Sequence, residues 1–439
     1  MRQRLLRWLI PGGIHYSRLH RQLTLFWWDG VFANIAESIV LSYTSLYALA
    51  LGATNTQVGQ LTSFQSLLGA AALIPGARFG EWWGRRKQLV LLSAGLGGRG
   101  LLLAIALVPL FVQGQAAIYA LMLLFGLRTF FLNFSNPAWT SFTAQLVPRR
   151  LRGRYFSARN FAIGVVTFVT VPVVGYLIQW LGNPGGYQAG FGLAFVAGMI
   201  GLAYFASIPE PEEAAPPATT NAKGPGAGEM LRNQPFVVFT AVALIWNLSL
   251  QIAAPYFNVF LVKDLGATAG IIGVTSAINS VSALIGQRWW GRRYARLGDL
   301  GIFRISGLII PVLPLIWAVI TEPWQVGVIN SIGGFVWAGY TLAQFNLLLT
   351  VTPDRGRERY VALYQTAVFF AAFLGPLIGA SLVNQVGYRL MFVLSAIGRL
   401  VATALFIQLM TRRPRRASRR DETVRSDEDE TDSETDSSD

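Results

Sequence analysis

Long apolar runs separated by short polar stretches recur along this chain, near 26 to 50, 58 to 79, 89 to 112, 116 to 143, 158 to 181 and 187 to 208. Six more lie near 236 to 260, 270 to 290, 302 to 320, 324 to 350, 360 to 384 and 390 to 410. A helix needs about 20 residues to cross the roughly 30 Å hydrocarbon layer of a bilayer, and these runs meet that length. They are continuous rather than alternating, so they predict helices and not a barrel, the other structure that satisfies every backbone group in lipid. The expected fold is therefore an all-α polytopic membrane protein of twelve transmembrane helices.

The runs fall into two similar sets. Leu51-Gly52-Ala53-Thr54 with Gly59 recurs as Leu265-Gly266-Ala267-Thr268 with Gly273, each between two apolar runs. Pro148 and Tyr155 bracket an Arg-rich loop, and Pro353 and Tyr360 bracket another at the same spacing. A duplication of this kind predicts two six-helix bundles, at 1–208 and 235–410. Between them, 209–234 is rich in Pro, Ala, Glu and Gly and reads as a cytoplasmic linker. The last segment, 411–439, turns from basic to acidic and reads as a disordered cytoplasmic tail.

Charge changes the picture in one respect. A formal net charge of +14 would suggest nucleic acid as partner in a soluble protein. Here the basic residues sit in alternate connections: Arg78 to Lys87, Arg149 to Arg154, Arg288 to Arg296 and Arg355 to Arg359. By the positive-inside rule both termini are cytoplasmic, and the partner of the surface is a lipid bilayer. Nucleic acid is not expected as a partner.

Several chemistries are excluded. The chain has no cysteine, and its two histidines, His15 and His20, precede the first apolar run, which leaves no thiolate or imidazole for catalysis in the membrane. No phosphate-binding GxxxxGK[ST] loop occurs, so one chain is not an ATP-driven pump. Gly95-Leu96-Gly97-Gly98-Arg99-Gly100 fits GxGxxG but lies inside an apolar run, where glycines let helices approach closely. An enzyme, a cofactor and a metal site are therefore not expected.

The loop Ala77-Arg78-Phe79-Gly80-Glu81-Trp82-Trp83-Gly84-Arg85-Arg86-Lys87 resembles the signature of the major facilitator superfamily, and Gly291 to Gly298 resembles a weaker second copy. The loop departs from that signature at Ala77, Glu81 and Trp82, and the second copy at Ala295. The resemblance implies a gate at the cytoplasmic end, with Glu81, Gly84, Arg85 and Arg86 in one half and Gly291, Arg296 and Gly298 in the other. Glu81 is expected to meet the N-terminal end of the eleventh helix near Tyr360. Val171-Pro172-Val173-Val174-Gly175 resembles, without its first glycine, a G-P-x-x-G motif of the family's proton antiporters, and Gly375-Pro376-Leu377-Ile378-Gly379 carries it in full. Both are equally readable as helix kinks.

Polar residues inside the runs point to the site, because charges at mid-membrane are costly and face a cavity or a partner. Outside the tail only two acids fall within a span, Asp29 near the start of the first and Glu37 near its middle. Glu37 corresponds in the repeat to Gln251, and Arg128 in the fourth span lies at similar depth. Ser135 and Trp139 share Arg128's helix face. Asn247, Gln251 and Asn258 mark the seventh span, and Asn330, Trp337, Thr341 and Gln344 the tenth. In the family the first, fourth, seventh and tenth spans line the central cavity, so these residues are the expected substrate site, with Glu37, and secondarily Asp29, as the proton-coupling groups. Arg99 and Arg399 also lie at mid-membrane depth, and their role is not readable from sequence.

The resemblance implies a monomeric secondary transporter in a bacterial-type plasma membrane. It would move a small organic solute by alternating access, coupled to protons and resembling drug or metabolite efflux. One alternative is a facilitator or importer of an anionic solute held by Arg128; another is a membrane receptor or scaffold that transports nothing.

Overall fold

The computed structural model describes residues 18–209, 227–353 and 357–411, and its regular structure there is entirely helical. The reading of the acidic tail and most of that of the linker fall outside these residues. The first half comprises α1 (Arg18–Ala50), α2 (Asn55–Trp83), α3 (Arg86–Phe111), α4 (Gly114–Leu146), α5 (Arg149–Leu181) and α6 (Gly185–Ala206). The second comprises α7 (Gln234–Lys263), α8 (Ala269–Tyr294), α9 (Arg296–Val319), α10 (Gln325–Val351), and α11 and α12, the arms 357–386 and 388–411 of one long helix bent at Gly387. The end of the linker is more ordered than its composition suggests, since Ala227–Arg232 is helical and Met230 is buried.

Nine helical stretches among the described residues are long and apolar enough to cross a membrane, and the last of these, Tyr360–Leu409, supplies both α11 and α12. The two helices outside that set, α1 and α2, carry polar residues along their length, of which Asp29 and Gln57 are buried, Gln65 is half-buried and Glu37 is exposed.

The repeated Leu-Gly-Ala-Thr is a turn with a function in folding. Gly52 and Gly266 have φ of 91° and 65°, in the left-handed region that costs glycine little. The threonine that follows caps the next helix: Thr54 Oγ1 accepts from the Gln57 amide at 3.2 Å, while Gln57 Oε1 accepts from the Thr54 amide at 2.9 Å. Thr268 repeats the cap, accepting from the Ile271 amide at 3.4 Å. The repeat's glycines Gly59 and Gly273 then meet the opposite half. A methyl on Gly59 would come within 2.7 Å of the Pro376 carbonyl, and one on Gly273 within 2.6 Å of the Pro172 backbone.

These contacts close one end of the molecule, the paired end. Asn55 accepts from Lys263 Nζ at 2.9 Å and from the Tyr388 hydroxyl at 2.7 Å, and Asn384 donates to Thr56 at 3.0 Å. Asp264 sits in the turn after α7; burial lifts its carboxyl above the ordinary range, opposed by the charges of Arg389 and Lys263. A single apolar core spans both halves here, from Tyr43 and Tyr47 to Tyr256, Phe260 and Phe392. Toward the basic end, where the Arg-rich loops lie, it gives way to two separate cores, one around Phe26, Phe142 and Phe205 and one around Phe239, Tyr340 and Phe406. Hydrogen bonds tie the halves together at or near this paired end. Toward the basic end the described residues of each half pack around a core of their own.

Candidate functional site

Glu37 projects from the middle of α1 and accepts a hydrogen bond from Arg128 Nη2 of α4. The pair is lopsided: the arginine side chain is 4% exposed and the carboxylate 47%. Leu41, one helical turn beyond Glu37, is 88% exposed despite its apolar chain and lines the cavity between the halves. Residues four apart share a helix face, so Glu37 faces the same space. Asn34, on that face, accepts from Thr167 of α5 at 2.8 Å. The site thus presents a carboxylate to the interior space and holds its counter-ion in protein.

The cavity beyond it has a volume of about 390 Å³ and lies mainly against the second half. Of the residues singled out in the sequence, Asn258, Asn330 and Trp337 line it, and so do Asn279 of α8, Trp317 of α9 and Arg399 of α12. Asn330 donates to the Thr275 carbonyl at 2.9 Å, which fixes α10 against α8. The lining therefore draws on α5, α8, α9 and α12 besides α1, α7 and α10, and α4, the fourth helix expected from the family, contributes no residue to it.

Asp29 belongs to a different chamber. It is 2% exposed and pairs with Arg99 Nη2 at 3.0 Å, while Arg99 Nη1 donates to the Gly198 carbonyl at 3.2 Å. Ser135, Trp139 and Arg159 line the same space, of about 200 Å³. The Arg159 guanidinium lies 5.0 Å from the Phe26 ring, within reach of a cation–π interaction. Gly198 and Gly201 leave room for Arg99, since a methyl on either would come within 3.3 Å of its side chain.

The second half builds the same chamber and fills it. Ser135 and Trp139 stand 13 and 9 residues before Pro148, as Tyr340 and Gln344 stand before Pro353. Arg159 corresponds in this register to Tyr364, Gly198 to Thr403 and Gly201 to Phe406. Only about 10 Å³ remains there, among Phe239, Trp246, Phe303, Tyr340, Gln344 and Phe406. Gln344 Nε2 donates to the Tyr364 hydroxyl at 2.5 Å, and the Phe303 and Phe406 rings are 4.2 Å apart.

The remaining expected residues disperse. Asn247 is buried and donates back to the Ala243 carbonyl at 2.8 Å, Gln251 packs where Gly375 lets α11 approach α7, and Thr341 is exposed away from the cavity lining. Gln344 belongs to the filled chamber. In the gate motifs, Gly84 caps α2 and Gly298 kinks the start of α9, with φ of 70° and 63°. Arg85, Gly291 and Arg296 are exposed and Arg86 is half-buried, at the basic end, while the Glu81 side chain lies outside the described residues. Pro172, Gly175 and Pro376 sit at contacts between halves, and Gly379 packs on Ile252 within the second. Among the described residues no three His, Cys, Asp or Glu side chains converge as a metal site.

Known proteins share both the sequence pattern and this architecture. The model of the Major Facilitator Superfamily matches residues 30–348 and 328–431. A multi-drug resistance efflux pump PmrA homolog of Lactococcus lactis subsp. lactis is 21% identical over 403 residues, covering 88% of this chain and 92% of its own. The multidrug resistance protein MdtG of Dickeya zeae is 28% identical over 398 residues, covering 86% and 91%. Among solved structures, a D-xylose-proton symporter aligns with a TM-score of 0.67 at 14% identity, covering 89% and 97%. A bacterial homolog of the human lysosomal transporter Spinster, inward-facing and occupied, aligns at 0.68 with 13% identity, covering 89% and 96%.

Proposed function

The chain belongs to the Major Facilitator Superfamily and is an integral-membrane secondary transporter; from that premise we propose that it exports amphipathic organic solutes in exchange for protons. The observation that carries this reading is the Glu37–Arg128 pair, a half-exposed carboxylate turned to the space between two duplicated halves. Protonating Glu37 removes the negative charge that holds Arg128, so proton binding changes both a charge and a hydrogen bond at the site a solute would occupy. The relatives named as multidrug resistance proteins support efflux of organic compounds.

Transport in this reading is the rocking of 1–208 against 235–410, with the paired end and the basic end closing in turn. The Arg-rich loops support a cytoplasmic basic end with both termini on that side, in a bacterial-type plasma membrane. The structure then represents the state open to the cytoplasm. Arg85, Arg86 and Arg296 become partners of the opposite half only when that end closes. A single chain contains both halves of the cavity, which supports a monomer as the working unit.

Thermal stabilisation of the purified protein by a panel of organic solutes, at acidic and alkaline pH, tests the proposal even while the transported solute is unidentified. Stabilisation that depends on pH in the wild type and not in Glu37→Gln is the expected result. Ligands that stabilise both proteins equally at both pH values would make Glu37 a structural residue.

A further inference from the structure

Arginines lie at membrane depth in both halves, and their partners differ. In the first half Arg99 has Asp29 and Arg128 has Glu37, while Arg159, whose Nε has no partner, shares the chamber of Asp29. In the second half Arg399 of α12 is 2% exposed, and among the described residues no carboxylate pairs with it. Its Nη2 donates to Ser395 Oγ at 3.0 Å, Ser395 in turn donates to the Ser249 carbonyl at 2.6 Å, and its Nε has no partner. Isolated ionised groups are too costly to bury in an apolar medium and are ordinarily paired. A guanidinium has five N–H donors and stays protonated through the physiological range, so one hydroxyl and no anion leave it short of partners.

Arg399 is also part of the wall of the central cavity, beside Trp337, Trp317, Phe257 and the amides of Asn279 and Asn330. That wall combines one uncompensated cation with broad aromatic surface, and a volume of about 390 Å³ fits a small organic molecule. We infer that the missing counter-ion is the ligand's own: the cavity takes amphipathic organic anions, with a carboxylate or sulfonate on Arg399 and the apolar body against Phe257, Trp317 and Trp337. The inference rests on the reading of this cavity as the transport site and narrows its substrate class. A planar guanidinium and a carboxylate make parallel charge-assisted hydrogen bonds, which gives the contact direction as well as charge. Neither Glu37 nor Arg128 is among the residues that line this cavity, so Arg399 is the charged side chain in its wall.

Equilibrium dialysis of the full-length protein in detergent against 2-naphthoate and 2-naphthylmethanol tests this, because the two share a ring system and differ in charge. The wild type should bind the anion at least about tenfold more tightly, the scale of one hydrogen bond to a charged group. Arg399→Gln should bind the two equally, Arg399→Lys should keep part of the preference, and Arg389→Gln, which changes an arginine bonded to backbone carbonyls at the paired end, should keep all of it. Equal binding of the two compounds by the wild type would overturn the inference whether or not any variant folds, and would leave the central site standing. A preference that survives Arg399→Gln would also overturn it, by assigning the anion to another group. Binding of neither compound would overturn both the inference and the reading of this cavity as the transport site.

Discussion

The two halves share a backbone plan and use one of its spaces differently. Around Asp29 the first half keeps a chamber of about 200 Å³ and furnishes it with an ion pair and a second arginine. At the equivalent place the second half has Tyr340, Gln344, Tyr364 and Phe406, and about 10 Å³ remains. The duplication fixes the turns, the caps and the crossing points of the helices, while side-chain volume decides whether a given space is polar or packed. The result is a first half that concentrates ionisable groups and a second half that supplies most of the wall facing a solute.

This contrast can be broken at several points. The largest effect is expected from Asp29→Ala, which leaves Arg99 buried without its acid and should cost about 3–5 kcal/mol; adding Arg99→Met should restore much of the loss. Chemical denaturation in detergent measures both. In the second half the matching loss comes from volume and not from charge. Phe406→Ala should cost about 3 kcal/mol and open a cavity, whereas Gly201→Ala at the equivalent position should cost about 1–3 kcal/mol by crowding Arg99.

Asn55→Ala removes the side chain that accepts from both Lys263 and Tyr388 at the paired end. It should shift the balance of states away from this closure by about 1–2 kcal/mol, and spin labels on the two halves at the basic end should then show a larger short-distance population. The smallest effect on stability is expected from Glu37→Gln, which gives the first half the amide that the second half carries at Gln251. Because the amide oxygen can still accept from the buried Arg128, the loss should stay below that of Asp29→Ala, as unfolding midpoints would show. A larger loss would mean that the pair serves the fold.

Much of this architecture is legible in the sequence, because lipid imposes run length and duplication imposes register. Glu37 and Arg128 are legible as well, as the acid and the base at equal depth on helices expected to meet. Asp29 is harder to place. It lies on α1 eight residues before Glu37, about 12 Å along the axis, so one helix serves two cavities. Arg128 and Ser135 share a face of α4 but sit about 10 Å apart along it, and a face does not specify a depth. Arg99 closes a π-helical stretch, Leu91–Arg99, which breaks the 3.6-residue period by which faces are counted. Arg159 carries one usable signal, its position one turn after Tyr155 of the repeat. Arg399 is visible in the sequence as a lone cation in an apolar run, but only the packed helices show that among the described residues no acid pairs with it and that it borders the cavity.

Solute flux in proteoliposomes under an imposed pH gradient tests the central claim most directly, using the strongest ligand of the stabilisation panel with wild type and Glu37→Gln side by side. The account predicts that the gradient drives solute uphill in the wild type, while Glu37→Gln only equilibrates the solute and ignores the gradient. Equal uphill movement by both proteins would contradict it and place proton coupling at a group other than Glu37.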